Sequence, residues 1–253
     1  MIREERADGL TRLVIDRPDR RNAFDIPTTL ALSEALDRVA ADRDCRVLVI
    51  TGEGPVFSAG RDLKAEASGT ADAEDGWRKD QAWVRAFHTL HRLDVPSVAV
   101  VRGYAVAGGF TLAMGCDFVL AEKGAKFGAL EMKNGFPASV CTPILARLVG
   151  PRLGLELAMF GELVGAERLY EMGLINRLAA DDADLTRVAD DFIGGLLALD
   201  PKAVALTRET FRAAETMPLD NALDMGKHLN QYLTASGWFE RGAKQFLDTQ
   251  KKK

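Results

Sequence analysis

Several stretches of the chain carry the hydrophobic pattern of β-strands. Residues 10–18 alternate apolar and polar side chains, as expected of a strand with one open face. Residues 45–52 and 97–102 are mainly apolar, which is typical of strands that are buried on both faces, and each run leads into glycines. The pattern also predicts a short strand and turn at 117–128 and a short strand at 173–178.

Between and after these strands, apolar positions recur with the period of an α-helix. Helices are predicted at 27–42, where Pro27 opens the segment, and at 77–93. The acidic segment 64–76 has few apolar residues and is predicted to be a mobile surface loop. Strands alternate with helices in the first half and helices dominate the second half, which indicates the α/β fold class. The later helices are predicted at 142–149, 153–160, 166–172, 183–198, 202–214, 220–234 and 238–249.

Composition and charge restrict the classes of function. The 253 residues are 47% hydrophobic and carry a formal net charge of −4, which argues against nucleic acid as a partner. The most apolar stretch, 95–116, contains Arg102 and several glycines, so no membrane span is predicted. The three cysteines form no paired motif and the chain starts with polar residues, so a cytoplasmic location is expected.

Two common kinds of site fit the sequence poorly. In a dinucleotide-binding reading of Gly52 and Gly54, the third glycine would fall at Phe57, whose ring would block close packing of the helix. His88 and His91 lie three residues apart on a predicted helix, but no third ligand is evident nearby, so no metal site is predicted.

Two glycine turns, "FSAGRDL" (57–63) and "AVAGGFTL" (105–112), both follow predicted buried strands. Taken singly, each is explained as a tight loop that needs a positive φ. If the two strands are neighbours, however, one backbone N–H group from each turn can converge on a single oxygen. Such a pair of donors stabilises an enolate or a tetrahedral oxyanion.

The residues around these turns resemble the crotonase superfamily, also called the enoyl-CoA hydratase/isomerase family. Five motifs carry the resemblance in the family's order and span nearly the whole chain. They are "RPDRRNAFD" (17–25), "VLVITGEGPVFSAGRDLK" (47–64), "VRGYAVAGGFTLAMGCDFVLAEKGAKFGALEMKNGFP" (101–137), "LYEMGLINRL" (169–178) and "ASGWFERGAKQFL" (235–247).

The resemblance implies a crotonase-like spiral of repeated ββα units at 1–195 and a helical C-terminal trimerisation region at 196–253. It implies a homotrimer, or a hexamer made of two trimers. It also implies an acyl-CoA thioester as the substrate and a place in fatty acid metabolism. Coenzyme A then enters as part of the substrate, and no further cofactor is expected.

The resemblance also implies the residues of the binding site. The thioester carbonyl oxygen is expected to accept hydrogen bonds from the backbone N–H groups of Arg61 and Gly108. Trp77, Trp83, Phe87 and Phe136 either line the acyl pocket or belong to the core. The positions expected to contact the coenzyme A part or the substrate are Asn22, Ala23, Phe24, Ala59, Gly60, Asp62, Leu63 and Phe246.

The resemblance points to one acid/base group. Two-carboxylate hydratases of the family have a glutamate three residues after the second oxyanion glycine, and Thr111 stands there in this chain. Their other glutamate ends the pattern F-G-x-x-E, which is present as "FGALE" with Glu131. Leu130 and Met132 beside it favour a raised pKa. Glu131 is expected to be the catalytic acid/base, and Thr111 is expected to position water or substrate.

A single carboxylate leaves the reaction open. The candidates are hydration of an enoyl-CoA and isomerisation of its double bond, since isomerisation needs only one base that removes a proton and returns it elsewhere. The alternatives are a hydratase-lyase that acts on an aromatic acyl-CoA and a non-catalytic homologue that binds acyl-CoA or a partner.

Overall fold

The computed structural model describes residues 1–67 and 72–250. The chain divides into two compact units, Met1–Pro201 and Lys202–Lys253. The first unit is a mixed α/β spiral and holds every strand of the described residues. In that described part of the chain, no helix is both long enough and apolar enough to cross a lipid bilayer.

Nine strands form two sheets in the first unit. Six of them pair in the order β1-β2-β3-β4-β6-β9, and every pairing in that sheet is parallel except that of β1 with β2. The smaller sheet has the order β5-β7-β8. The strands are β1 (Ile2–Ala7), β2 (Leu10–Ile15), β3 (Val47–Gly52), β4 (Ser97–Val101), β5 (Tyr104–Val106), β6 (Phe118–Glu122), β7 (Lys126–Gly128), β8 (Val164–Gly165) and β9 (Arg177–Ala179).

Helices follow the strands and give the chain its spiral repeat. Two consecutive strands, one from each sheet, lead into a helix: β4 and β5 into α4, then β6 and β7 into α5. The predicted α/β class with repeated ββα units is confirmed. The helices are α1 (Ile26–Ala41), α2 (Leu63–Ala67), α3 (Ala73–Arg92), α4 (Gly108–Gly115), α5 (Cys141–Phe160), α6 (Ala166–Glu171), α7 (Asp182–Leu197), α8 (Pro201–Ala214), α9 (Leu219–Ala235) and α10 (Trp238–Gln250).

The central strands are buried on both faces, as their apolar runs predicted. On one face of the large sheet, Leu48 and Ile50 of β3 belong to a core that also contains Leu32 of α1 and Leu90 of α3. On the other face, β3 and β4 pack against apolar side chains of α7. Two covered faces hold the strands rigidly, so the loops at their carboxyl ends have fixed positions.

The structure corrects the predictions at several places. β1 was not predicted, because its sequence IREERA is charged and the strand is largely exposed. Much of 64–76 is helical: α2 covers its start, and α3 begins at Ala73 with the Asp72 carboxylate accepting from the Asp75 N–H. Residues 68–71 of that predicted loop lie outside the described residues. The strand predicted at 173–178 is displaced and runs over Arg177–Ala179.

The break predicted between the helices at 142–149 and 153–160 lies inside α5. Gly150 has φ +73° and ψ −178°, and Pro151 follows it, so the helix is kinked there. Proline lacks the N–H that would continue the helical hydrogen bonds.

Candidate active site

The two glycine turns lie side by side. β3 and β4 are paired in parallel, and Ser58 of the first turn forms a parallel bridge with Ala105 of the second. A Cβ atom added to Gly60, which has φ +79°, would lie 2.8 Å from the Gly108 nitrogen, and one added to Gly109 would lie 2.5 Å from the Ser58 carbonyl oxygen. Both distances are shorter than a van der Waals contact, so glycine is required for this close approach of the backbones.

Arg61 and Gly108 both line a cavity. Gly108 is the first residue of α4, so its N–H has no acceptor within the helix. Phe24 and Arg61 form a parallel bridge, in which the Phe24 N–H donates to the Gly60 carbonyl and the Phe24 carbonyl accepts from the Asp62 N–H. The Arg61 N–H therefore points to the side opposite Phe24. Arg61 and Gly108 thus lie on adjacent turns beside the same cavity, and the pairing of their N–H groups on one oxygen stays a prediction.

The cavity has a volume of about 500 Å³. The aromatic residues Trp83 and Phe136 line this cavity. Phe87 lies behind Trp83, with the two ring centroids 5.0 Å apart, and Trp77 is 64% exposed. Residues that the sequence did not assign to the site also line it, notably Lys79, Val106 and Cys141. The predicted site residues that line the cavity are Phe24, Ala59, Arg61, Leu63, Gly108, Thr111 and Glu131.

Two other predicted binding residues, Asn22 and Asp62, make polar contacts that stabilise the first glycine turn and the residues before it. The buried Asn22 side chain donates to the carbonyl oxygens of Glu53 (2.9 Å) and Val56 (2.6 Å). Asp62 is paired with Arg17 at 3.3 Å. Asn22, Ala23, Gly60 and Asp62 are not part of the cavity lining, so their predicted contact with coenzyme A stays untested. The side chain of Phe246 lies outside the described residues.

Glu131 presents a carboxylate to the cavity. It lies in a short 3₁₀ helix, Leu130–Asn134, that follows β7. Its Oε2 atom is buried and has no hydrogen-bond partner among the described residues. Burial raises the pKa of the Glu131 carboxyl, and a hydrogen bond from the Glu131 backbone N–H offsets part of that effect. A carboxylate of this kind accepts a proton readily, which suits a general base.

The raised pKa predicts how stability depends on pH. A carboxyl whose folded-state pKa exceeds the unfolded one contributes most to stability below the unfolded pKa, and this contribution is lost as pH rises through the folded pKa. We therefore expect Glu131→Gln to raise the melting temperature relative to the native protein at about pH 8, with little difference near about pH 4. Thermal unfolding at both pH values measures this, and a difference that shrinks as pH rises would contradict it.

Thr111 and Cys141 form a polar contact in the cavity wall. The Thr111 side chain is 2% exposed, and its hydroxyl donates to the Ala107 carbonyl oxygen at 3.1 Å. The Cys141 thiol is hydrogen-bonded to Thr111, and burial raises the pKa of this thiol to about 12. Since the Thr111 proton is already donated, this hydroxyl can serve water or substrate only as an acceptor. Cys141 is buried, and it also lines the cavity.

The other ionisable residues of the wall are Arg61, Lys79 and Asp80. The Arg61 guanidinium lies 3.5 Å from the Asp80 carboxylate, and both side chains are substantially exposed. Lys79 is buried, with a relative exposure of 6%. Sequence reasoning missed Lys79, since a lysine on an amphipathic helix normally indicates the solvent face. No cluster of metal-ligating side chains occurs within residues 1–67 and 72–250.

Comparison with known sequences finds one family across the chain. A family model described as enoyl-CoA hydratase/isomerase matches residues 5–253. A Thermus thermophilus protein described as a candidate enoyl-CoA hydratase is 34% identical over 235 residues, which cover 92% of each chain. A carnitinyl-CoA dehydratase of Salmonella typhi is 35% identical over 214 residues, which cover 83% of this chain and 80% of that protein.

Solved structures share the fold along nearly the full length. An enoyl-CoA hydratase from Polaromonas sp. JS666 superposes with a TM-score of 0.88 at 30% identity, covering 98% of this chain and 97% of that one. An enoyl-CoA hydratase from Mycobacterium smegmatis gives a TM-score of 0.85 at 26% identity, with coverage of 95% and 96%.

Proposed function

Because the chain belongs to the enoyl-CoA hydratase/isomerase family, we propose that it catalyses the reversible hydration of a 2-enoyl-CoA thioester with Glu131 as its single acid/base. The observation that carries the proposal is the buried Oε2 of Glu131, which has no hydrogen-bond partner among the described residues, beside a cavity that Arg61 and Gly108 also line. These are the two components that enolate chemistry needs: a base near the reacting carbons and donors for the developing negative charge.

The steps follow from these groups. The thioester oxygen accepts hydrogen bonds from the N–H groups of Arg61 and Gly108. Water adds to C3 while Glu131 takes one of its protons, and the electrons of the C2–C3 double bond move into the enolate held by the two amides. Glu131 then returns that proton to C2, which restores the carboxylate. Each donor to such an oxyanion typically contributes a factor of roughly 10² to 10³ in rate.

Isomerisation of a 3-enoyl-CoA is the second candidate, and the number of carboxylates favours it. In the described part of the chain, the carboxylates that line the cavity are Glu131 and Asp80, and the Asp80 side chain is 72% exposed and paired with Arg61. Isomerisation needs one base, which removes a proton from C2 and returns it to C4 while the amides hold the dienolate.

Mass spectrometry of the products separates the two reactions. The protein is incubated in D₂O with a short 2-enoyl-CoA and, separately, with a 3-enoyl-CoA. A product heavier by one water supports hydration. An unchanged composition with deuterium incorporated and the double bond moved establishes isomerisation instead. No change in either thioester, together with measurable binding, would overturn both candidates in favour of a binding role.

We also propose the homotrimer, alone or paired as a hexamer, as the working assembly. Apolar side chains are exposed in each unit, including Phe160 on α5 (66% exposed) and Phe211 on α8 (70% exposed). Apolar exposure of this kind marks surfaces that associate. Light scattering after size exclusion is expected to give a trimer or hexamer, and Phe160→Glu or Phe211→Glu to shift it toward monomer. A native protein that elutes as a monomer would contradict the proposal.

A further inference from the structure

The peptide that joins Ala107 to Gly108 carries one of the two proposed oxyanion donors. The group is planar and trans, so the Ala107 carbonyl and the Gly108 N–H point in opposite directions. Whatever holds that carbonyl in place therefore also aims the N–H. The Gly108 N–H binds the thioester oxygen only while the carbonyl is turned away from it.

The Ala107 backbone is strained in this orientation. Its φ of +49° and ψ of −122° are values that residues with a Cβ atom rarely adopt. Rotating the 107–108 peptide by half a turn would carry ψ to roughly +60°, in the left-handed region that alanine tolerates better. Gly108 accepts the accompanying change in its own φ. The rotated peptide is a real competitor, and it would point a carbonyl oxygen at the substrate oxygen.

Two hydrogen bonds to the Ala107 carbonyl oppose that rotation. The Ala107 carbonyl accepts from the Thr111 N–H at 2.9 Å and from the Thr111 hydroxyl at 3.1 Å. The preceding peptide is held separately, because the Ala107 N–H donates to the Gly128 carbonyl at 2.8 Å. The Thr111 hydroxyl thus adds a second donor to the carbonyl whose rotation would remove the oxyanion donor.

The bond to Ala107 orients this hydroxyl. The Thr111 hydroxyl gives its proton to the Ala107 carbonyl, and the Cys141 thiol lies beside this hydroxyl in the cavity wall. The polar contacts then run from the Thr111 hydroxyl to the Ala107 carbonyl and through the peptide to the Gly108 N–H. Hydrogen bonds in such a chain polarise one another, which makes the last N–H a stronger donor.

We propose that Thr111 is a positioning residue of the oxyanion site, where its hydroxyl fixes and polarises the 107–108 peptide. This role rests on the proposed enolate chemistry and names what stands in place of the second glutamate: a group that strengthens an oxyanion donor, with no proton transfer of its own. It differs from a water-positioning role, which would affect water addition alone.

Two reactions of the full-length protein distinguish these roles. Hydration of a 2-enoyl-CoA needs both the oxyanion site and a positioned water, whereas α-proton exchange of a saturated acyl-CoA in D₂O needs only the oxyanion site and Glu131. We expect Thr111→Val to lower kcat for hydration and the rate of exchange together, by about threefold to tenfold, with little change in KM. Thr111→Ser, which keeps the hydroxyl, is expected to restore both rates. A loss confined to hydration would overturn the proposal.

A spectroscopic measurement excludes a merely structural effect. The ¹³C signal of the thioester carbonyl in a bound saturated acyl-CoA reports how strongly the carbonyl is polarised. We expect a smaller shift on binding to Thr111→Val and a native shift with Thr111→Ser. Thr142→Val is the matched control, because Thr142 donates to the Ala138 carbonyl at 2.9 Å in the same way but does not line the cavity. An unchanged carbonyl shift in Thr111→Val would also overturn the proposal.

The outcome is separable from that of the proposed function. If the native protein polarises and exchanges the saturated thioester but hydrates no enoyl-CoA, hydration fails and the role of Thr111 can still be measured. If the native protein hydrates but Thr111→Val leaves exchange and the carbonyl signal intact, only this inference fails.

Discussion

Replacing Glu131 with Gln is expected to lower kcat for the hydration of an enoyl-CoA by roughly 10² to 10⁴ with little effect on binding. Glutamine has nearly the same shape but cannot accept a proton from water. The buried Oε2 of Glu131 has no partner among the described residues, so an amide there disrupts no hydrogen bond of that atom. Initial rates with a short 2-enoyl-CoA, together with binding of a saturated acyl-CoA, measure both quantities.

Asp80→Asn is the matched control for that substitution. Asp80 also lines the cavity, but its side chain is 72% exposed and lies 3.5 Å from the Arg61 guanidinium. An exposed pair of this kind contributes little to stability, so we expect Asp80→Asn to keep most of the activity. If Asp80→Asn abolished hydration while Glu131→Gln retained it, the assignment of the acid/base would be wrong.

Replacing Gly60 with Ala is expected to have the second large effect. The added Cβ would lie 2.8 Å from the Gly108 nitrogen and 2.6 Å from the Val106 carbonyl oxygen, which are backbone atoms that cannot turn aside. The two turns must then separate, so the donors no longer converge on one oxygen. We expect kcat to fall by at least roughly 10² to 10³, the effect of losing one oxyanion donor.

Gly173→Ala separates this effect from backbone strain. Gly173 has the same φ of +79° as Gly60, but a Cβ atom there would meet no atom within 4 Å. Both variants therefore pay the cost of an alanine at positive φ, and only Gly60→Ala forces the two turns apart. Thermal unfolding and kcat are measured for each. Equal activity of the two variants would show that the close approach of the turns is not needed for catalysis.

Much of the architecture could be predicted from local pattern. Continuous apolar runs predicted β3 and β4, because a strand buried on both faces is apolar throughout. A helical period of apolar residues predicted α1 and α3, because an amphipathic helix buries one face. The ordered motifs predicted the family, and the match over residues 5–253 confirms it. The charged strand β1 was missed, because pairing with β2 forms it without an apolar pattern.

The sequence by itself determined the family, the α/β spiral, the two glycine turns and the one carboxylate that matches the family's motif. Tertiary structure alone decided which groups meet. Cys141 contacts Thr111 across thirty positions of sequence, and Lys79 is buried although its helix presents a polar pattern. Such contacts depend on how strands stack and helices cross. Local periodicity reports only whether a side chain is buried, not which distant residue it touches.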